Sequence, residues 1–219
     1  MTYIPNKGIW SNITHVKFLS LRFCVKVSNF APLKDMVRLI SLDIYCTNIS
    51  GEELCEFIPM GLIGINLGYC ERLTSSKLLQ EFLHQRCSLE MVGLSALNQA
   101  VNDEVLESLS CHDLKYLDIS DCNNVTSVQV AKLLARQPNV EELSLQGTCH
   151  MAAILNVLAS NRQSLENLRV LEIGGNVHTL NQENVDSALE VLPVCENLKV
   201  LSIFNCNLER NSKDYFKNF

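Results

Sequence analysis

The sequence predicts an α/β solenoid: an arc of parallel strands on the inside with helices outside, in about eight repeats. Two observations carry this. A segment reading apolar, two variable residues, apolar, one variable, apolar, two variable, then a small polar residue or cysteine occurs eight times. Apolar residues at helical spacing then follow several of these segments. A unit this short cannot bury its own apolar face, so each copy must stack on its neighbours.

The clearest copy is Leu114-Lys-Tyr-Leu117-Asp-Ile119-Ser-Asp-Cys122, and the others start at Val16, Leu39, Leu62, Leu89, Val140, Leu168 and Leu198. Their spacing of roughly 23 to 30 residues lies within or just beyond the leucine-rich-repeat range. Each copy opens on alternating residues such as Leu143-Ser-Leu145 or Leu171-Glu-Ile173, the period of a half-buried strand. The strand ends at Cys24, Thr47, Cys70, Leu97, Cys122, Thr148, Asn176 or Cys206, where a short polar side chain can bond the backbone as it turns. Leu97 breaks the pattern, which predicts the least regular turn in the fourth repeat.

Helices follow. Residues 51–58 read as a short one. In the third repeat Leu78, Leu79, Phe82 and Leu83 are expected to face inward. In the fifth, Thr126 or Ser127 can act as N-cap, Val130, Leu133 and Leu134 share a face, and Pro138 bars continuation. Met151 to Leu158 and Gln182 to Leu192 are two more. Residues 1–12 are expected to cap one end through Ile4, Ile9 and Trp10, with repeats over 13–210. A tail, residues 211–219, would fold Tyr215, Phe216 and Phe219 over the other end. A single domain, 1–219, is the expectation.

Composition fits: 47% of the 219 residues are hydrophobic, with only 9 glycines and 5 prolines. The formal charge of -6 speaks against nucleic-acid or anionic-membrane partners, which favour a basic face. The first residues lack the basic start and apolar run of a secretory signal, and no stretch has the apolar length of a membrane span. A cytoplasmic or nuclear location is therefore expected, and the Asn-x-Ser/Thr triplets at Asn12, Asn48 and Asn124 should go unused.

Ten cysteines raise the question of disulfides or metal. The repeat register accounts for most of them otherwise. Cys24, Cys70, Cys122 and Cys206 share one position, and Cys87, Cys111 and Cys195 precede the next strand segment by two or three residues. Reduced, buried structural thiols are expected, without cofactor or metal, since no Cys-x-x-Cys pair occurs. Cys111-His112 and Cys149-His150 are a weak metal signal.

The stretches Leu117-Asp-Ile-Ser-Asp-Cys122-Asn-Asn-Val125-Thr126 and Ile65-Asn-Leu-Gly-Tyr-Cys70-Glu-Arg-Leu73-Thr74 resemble the cysteine-containing class of leucine-rich repeats. That class is typical of F-box leucine-rich-repeat proteins and of Zyg-type substrate receptors of cullin-RING ubiquitin ligases. The resemblance covers about residues 13 to 210 and is close in two or three copies. It implies an array that recruits a protein substrate, in partnership with cullin-RING adaptor proteins. The docking bundle of those families would have to come from another chain or be absent.

The binding surface is expected on the inner sheet face, where the variable strand positions project to solvent. The candidate partner-binding residues are Phe18, Arg22, Asp43, Tyr45, Asn66, Tyr69, Tyr116, Asp118, Asp121, Glu142, Gln146, Glu172 and Phe204. Aromatic anchors ringed by polar groups are how protein interfaces concentrate binding energy. An enzyme is not expected, because the sequence has no Gly-x-Ser-x-Gly elbow, phosphate loop or His-Glu-x-x-His. Gly61, Gly64 and Gly68 are read as close-packing positions. Asp118, Asp121 and Glu142 offer a carboxylate cluster for a cation or acid-base work, but none has a histidine in register and an open face does not exclude water, so neither is expected. The alternative to a ligase role is a structural scaffold or a stoichiometric inhibitor unconnected to ubiquitin.

Overall fold

The computed structural model describes residues 12–148, 153, 154, 156, 165–174 and 195–204. The caps proposed at either end, and the helix at 182–192, lie outside the described residues, as does most of the helix at 151–158. Eight strands form one parallel sheet in sequence order. They are β1 (Phe18–Ser20), β2 (Ser41–Asp43), β3 (Gly64–Asn66), β4 (Met91–Gly93), β5 (Tyr116–Asp118), β6 (Glu142–Ser144), β7 (Val170–Gly174) and β8 (Val200–Phe204). Parallel neighbours require a crossover that returns the chain to the same end of the sheet. Among the described residues those crossovers hold a 3-10 turn at Ala31–Asp35 and helices α1 (Gly51–Phe57), α2 (Ser76–His84), α3 (Asp103–Glu107) and α4 (Ser127–Arg136). Consecutive helices pack on one another, as consecutive strands do. The chain is thus a leucine-rich-repeat solenoid.

The register follows the repeat residue for residue. Leu19, Leu42, Ile65, Val92, Leu117, Leu143, Leu171 and Leu201 pair in succession across the sheet. The column from Leu42 to Leu171 is buried, whereas Leu19 and Leu201 at the two ends are only partly so. Stacking supplies burial from both sides, so the outermost strands receive half of it.

The helices start where their caps allow. Ser50 and Glu53 form a reciprocal capping box on α1. Ser75, Asn102 and Thr126 each accept from the backbone N–H three residues on, at α2, α3 and α4. Thr126, not Ser127, is therefore the cap of α4. Leu79, Phe82 and Leu83 are buried on α2, but Leu78 is only partly so, because it lies against Gly51 of the neighbouring repeat near the surface. The 3-10 turn and α3 are additions to the elements expected from sequence.

Every turn after β1 to β6 carries a left-handed residue at the same register: Phe23, Cys46, Tyr69, Ala96, Asp121 and Gly147, with φ between 55° and 68°. Their N–H groups each bond the next repeat, as in Tyr69 N–H to Ser95 O at 2.8 Å and Ala96 N–H to Ser120 O at 2.8 Å. The expectation of an irregular fourth turn is therefore overturned. The backbone ladder sets the turn, and the residue at Leu97 only decides what fills the space beneath it. Elsewhere that space is polar: the thiols of Cys70 and Cys122 donate to Ile44 O and Leu94 O one repeat back, and the Thr47 and Thr148 hydroxyls donate within their own repeats.

The eight described cysteines are free thiols. Cys70, Cys111, Cys122 and Cys195 are buried as expected, but Cys87 is exposed. It sits one residue out of register with Cys111 and Cys195. The equivalent buried place belongs to Arg86, and in the next repeat but one to Gln137. Arg86 donates to Phe82 O and Ile58 O, both at 2.8 Å, and stacks on the Phe82 ring at 3.6 Å. Gln137 does the same work, donating to Cys111 O and accepting from Leu114 N–H. Asn48 and Asn124 also spend their side-chain amides on carbonyls of the preceding repeat, Val25 O and Asn98 O.

Candidate functional site

Four columns form the sheet face: one on each side of the buried strand leucine, one two residues further on, and the left-handed turn residue. The first contains Phe18, Met91, Tyr116 and Glu142; the second Asp43, Asn66, Asp118 and Glu172; the third Arg22, Tyr45 and Gln146; the fourth Phe23, Tyr69 and Asp121. The register therefore brings the predicted residues onto one surface. Phe204 belongs to β8, but its side chain lies outside the described residues.

Not every variable position projects to solvent. Ser95, Ser120 and Ser144 are buried, and the hydroxyls of the last two bond each other at 2.7 Å. A side chain at Gly68 would strike Ser95 Oγ and the Tyr45 ring, and one at Gly93 would strike Asn66 Oδ1. These small residues form a floor, with larger ones leaning across it. Gly64 likewise faces Ser41 Oγ closely, but Gly61 meets nothing within 4 Å and has no packing role.

The second column has a structural duty that periodicity does not reveal. One side-chain oxygen of Asp43, Asn66 and Asp118 accepts from the backbone N–H two residues on, at 3.1, 3.0 and 2.9 Å. A short carboxylate or amide can reach its own turn in this way, and it fixes the exit from the strand. The other Asp43 oxygen receives Arg22 at 3.3 Å.

Rings fill the turn side. Arg22 lies 4.0 Å over Tyr45; Tyr45 meets Phe23 edge-on at 5.3 Å and Tyr69 at 5.1 Å; the Tyr69 hydroxyl donates to Asp121 Oδ2 at 3.2 Å. Adjacent register positions stand about 5 Å apart across a sheet, which is the spacing of stacked rings. Phe23, outside the predicted set, joins this row. Its signal was in the sequence, since it occupies the register of Tyr69.

Burial and charge act on the tyrosines together. Burial followed by the Asp121 carboxylate raises the Tyr69 hydroxyl above its usual range, and burial also raises Tyr45 despite Arg22. Tyr116 is raised furthest, by burial and then by Asp118, Glu172 and Glu142. Its hydroxyl thus stays protonated in a field of carboxylates. Among the described residues no three His, Cys, Asp or Glu side chains come together as metal ligands. Asp121 is turned toward Tyr69 and Gly147, and Asp118 toward its own turn. Glu172 accepts from Gln146 at 3.2 Å, and Glu142 is exposed.

The strand-entry rim, by contrast, balances its own charge. Glu90 pairs with Lys115 at 2.7 Å and Glu141 with Arg169 at 2.9 Å. Among the described residues no helix is long and apolar enough to cross a membrane.

No protein-family model matches the chain. By sequence it is similar to the disease resistance protein RRS1 of Arabidopsis thaliana, 26% identical over 220 residues, which cover 82% of this chain and 16% of that protein. The chain thus spans about a sixth of the length of this relative. By structure it is similar to the yeast Rad7 and Elc1 complex, with TM-score 0.51 at 14% identity over 86% of this chain and 63% of that one. The leucine-rich-repeat protein LegL7 of Legionella pneumophila gives TM-score 0.48 at 15% identity over 85% and 72%.

Proposed function

We propose that this chain is a protein-interaction module that binds its partner through the concave sheet face. One observation carries the reading. Phe18 is 70% exposed, Met91 48% and Tyr69 41%, all on the same face of a sheet whose leucine column is buried from Leu42 to Leu171. Grouped exposed anchors of this kind mark interaction surfaces, whereas scattered ones do not. Among the described residues of the face Asp118 faces its own turn, Asp121 a tyrosine and Glu172 a glutamine, Glu142 is exposed, and no three His, Cys, Asp or Glu side chains group beside them.

The test is to capture and identify the partner with the intact chain and remeasure its affinity with Phe18→Asp, Tyr69→Arg and, on the outer helices, Glu56→Gln. Loss of at least tenfold with the first two and none with the third is expected. Equal binding by all three would transfer the contact to another surface.

A finer reading rests on the cysteine-class repeats around Cys70 and Cys122: the face would select substrates for a cullin-RING ubiquitin ligase. Recovery of a cullin or cullin adaptor with the intact chain is its expected outcome. Tight stoichiometric binding of a partner without its ubiquitination favours the scaffold or inhibitor role instead.

A further inference from the structure

The face has one sign of charge over most of its length. From β3 to β8 its four described columns hold no lysine, arginine or histidine, and they hold the carboxylates of Asp118, Asp121, Glu142 and Glu172. Among the described residues the one cation of these columns, Arg22 at the β1 end, is committed to Asp43 and the Tyr45 ring. Lys115 and Arg169 are committed to the rim. The anchors Tyr69 and Met91 and the half-buried Tyr116 stand beside this negative stretch, above the glycine and serine floor of β3 and β4.

We propose that the concave face takes an extended, basic segment of a protein partner, whose lysine or arginine side chains seat against Tyr116 between Asp118, Glu142 and Glu172. This rests on the concave-face reading above and adds the chemistry of the partner. Glu142 and Glu172 lie on adjacent strands and Asp118 on the strand before them, so the carboxylates span about 10 Å at strand spacing. Alternate side chains of an extended segment repeat every ~7 Å, so two cations fit within that span. The guanidinium or ammonium gains a carboxylate on either side and the tyrosine ring face, as cations on aromatic platforms do. A nucleic acid would bring phosphates to the same carboxylates and be repelled.

The experiment uses the full chain and three fluorescein-labelled twelve-residue peptides, alternating Arg-Ser, Gln-Ser and Glu-Ser, read by fluorescence anisotropy at low and moderate salt. Binding of Arg-Ser alone is expected. It should weaken with salt, fall at least tenfold with Glu142→Gln/Glu172→Gln and at least threefold with Tyr116→Leu, and hold in the outer-helix control Glu56→Gln/Glu107→Gln. Thermal melts of each variant confirm folding. Absence of Arg-Ser binding, equal binding of Gln-Ser, or loss in the control instead of the face variants overturns the proposal. If the captured partner is lost with Tyr69→Arg but is indifferent to salt and to Glu142→Gln/Glu172→Gln, the concave-face reading stands and the basic segment falls.

Discussion

The Tyr69 hydroxyl donates to Asp121 across an entire repeat, closing over Ala96, which occupies the same left-handed register between them. The bond exists because Ala96 is small. Asp121 is closely approached on its other side too: its Oδ1 occupies the space a Cβ on Gly147 would need. Gly147→Ala should therefore destabilise twice over. The left-handed backbone with an alanine costs about 1 kcal/mol, and the clash adds to it. Adding Asp121→Gly should recover the second part only. A double-mutant cycle by urea unfolding measures this, and simple additivity would show that the two residues do not touch.

Leu117→Ala empties a core position closed on both sides by neighbouring repeats, and should cost about 2–5 kcal/mol. Leu19→Ala, at the half-covered first strand, should cost clearly less. Equal losses in chemical denaturation would contradict the one-dimensional stacking of the array.

Arg86 is 2% exposed with no carboxylate beside it, and burial lowers its pKa to about 10. Its fork joins Phe82 O at the end of α2 to Ile58 O of the previous repeat. Arg86→Ala leaves two buried carbonyls unsatisfied, at about 1–3 kcal/mol each. Arg86→Lys should restore little, since one ammonium cannot reproduce the planar fork. Melting temperatures of the two variants decide it.

Burial pushes the Cys122 thiol up to about 12. The folded state therefore keeps a proton that the unfolded chain, with an ordinary thiol, gives up from about pH 9. A raised folded pKa contributes stability below the unfolded value that is lost as pH rises, so stability should decline between about pH 9 and 12 by up to 1.4 kcal/mol per unit for this group. Arg86 acts oppositely: its depressed pKa penalises folding while the group is charged, and that penalty eases above about 10. Urea midpoints at pH 8.5 and 10 should fall for the parent and fall less for Cys122→Ala, measured against its own value at pH 8.5.

Asp118→Ala should cost about 1 kcal/mol through the lost bond to Ser120 N–H, whereas Asp118→Asn keeps an acceptor there and should cost less. Glu142→Ala should change stability by no more than about 0.5 kcal/mol, the usual range for an exposed site. This makes Glu142 the cleaner position for separating binding from folding.

Much of the fold was legible because its rule is local and repeated. The alternation around Leu42, Ile65, Val92 and Leu117 named the buried column, and the fixed offset from each leucine named its neighbour on the next strand. The helix after Cys122 was legible for the same reason, with its cap narrowed to Thr126 or Ser127, between which the structure chose Thr126. The face was legible as a set of positions, not as a set of available groups. Asp43, Asn66 and Asp118 read as free contacts but hold their own turns, and Ser95, Ser120 and Ser144 read as exposed but lie beneath their neighbours.

The sequence by itself determined which side chains the sheet buries and how its strands align, because translation from one repeat to the next converts a one-dimensional spacing into contact. Only the tertiary structure decided what the remaining polar groups do. Arg86 displaced Cys87 from the buried place, Tyr69 reached Asp121 past Ala96, and Glu142 stayed uncommitted on the surface. Those outcomes depend on the size and reach of residues in adjacent repeats, which no single repeat encodes.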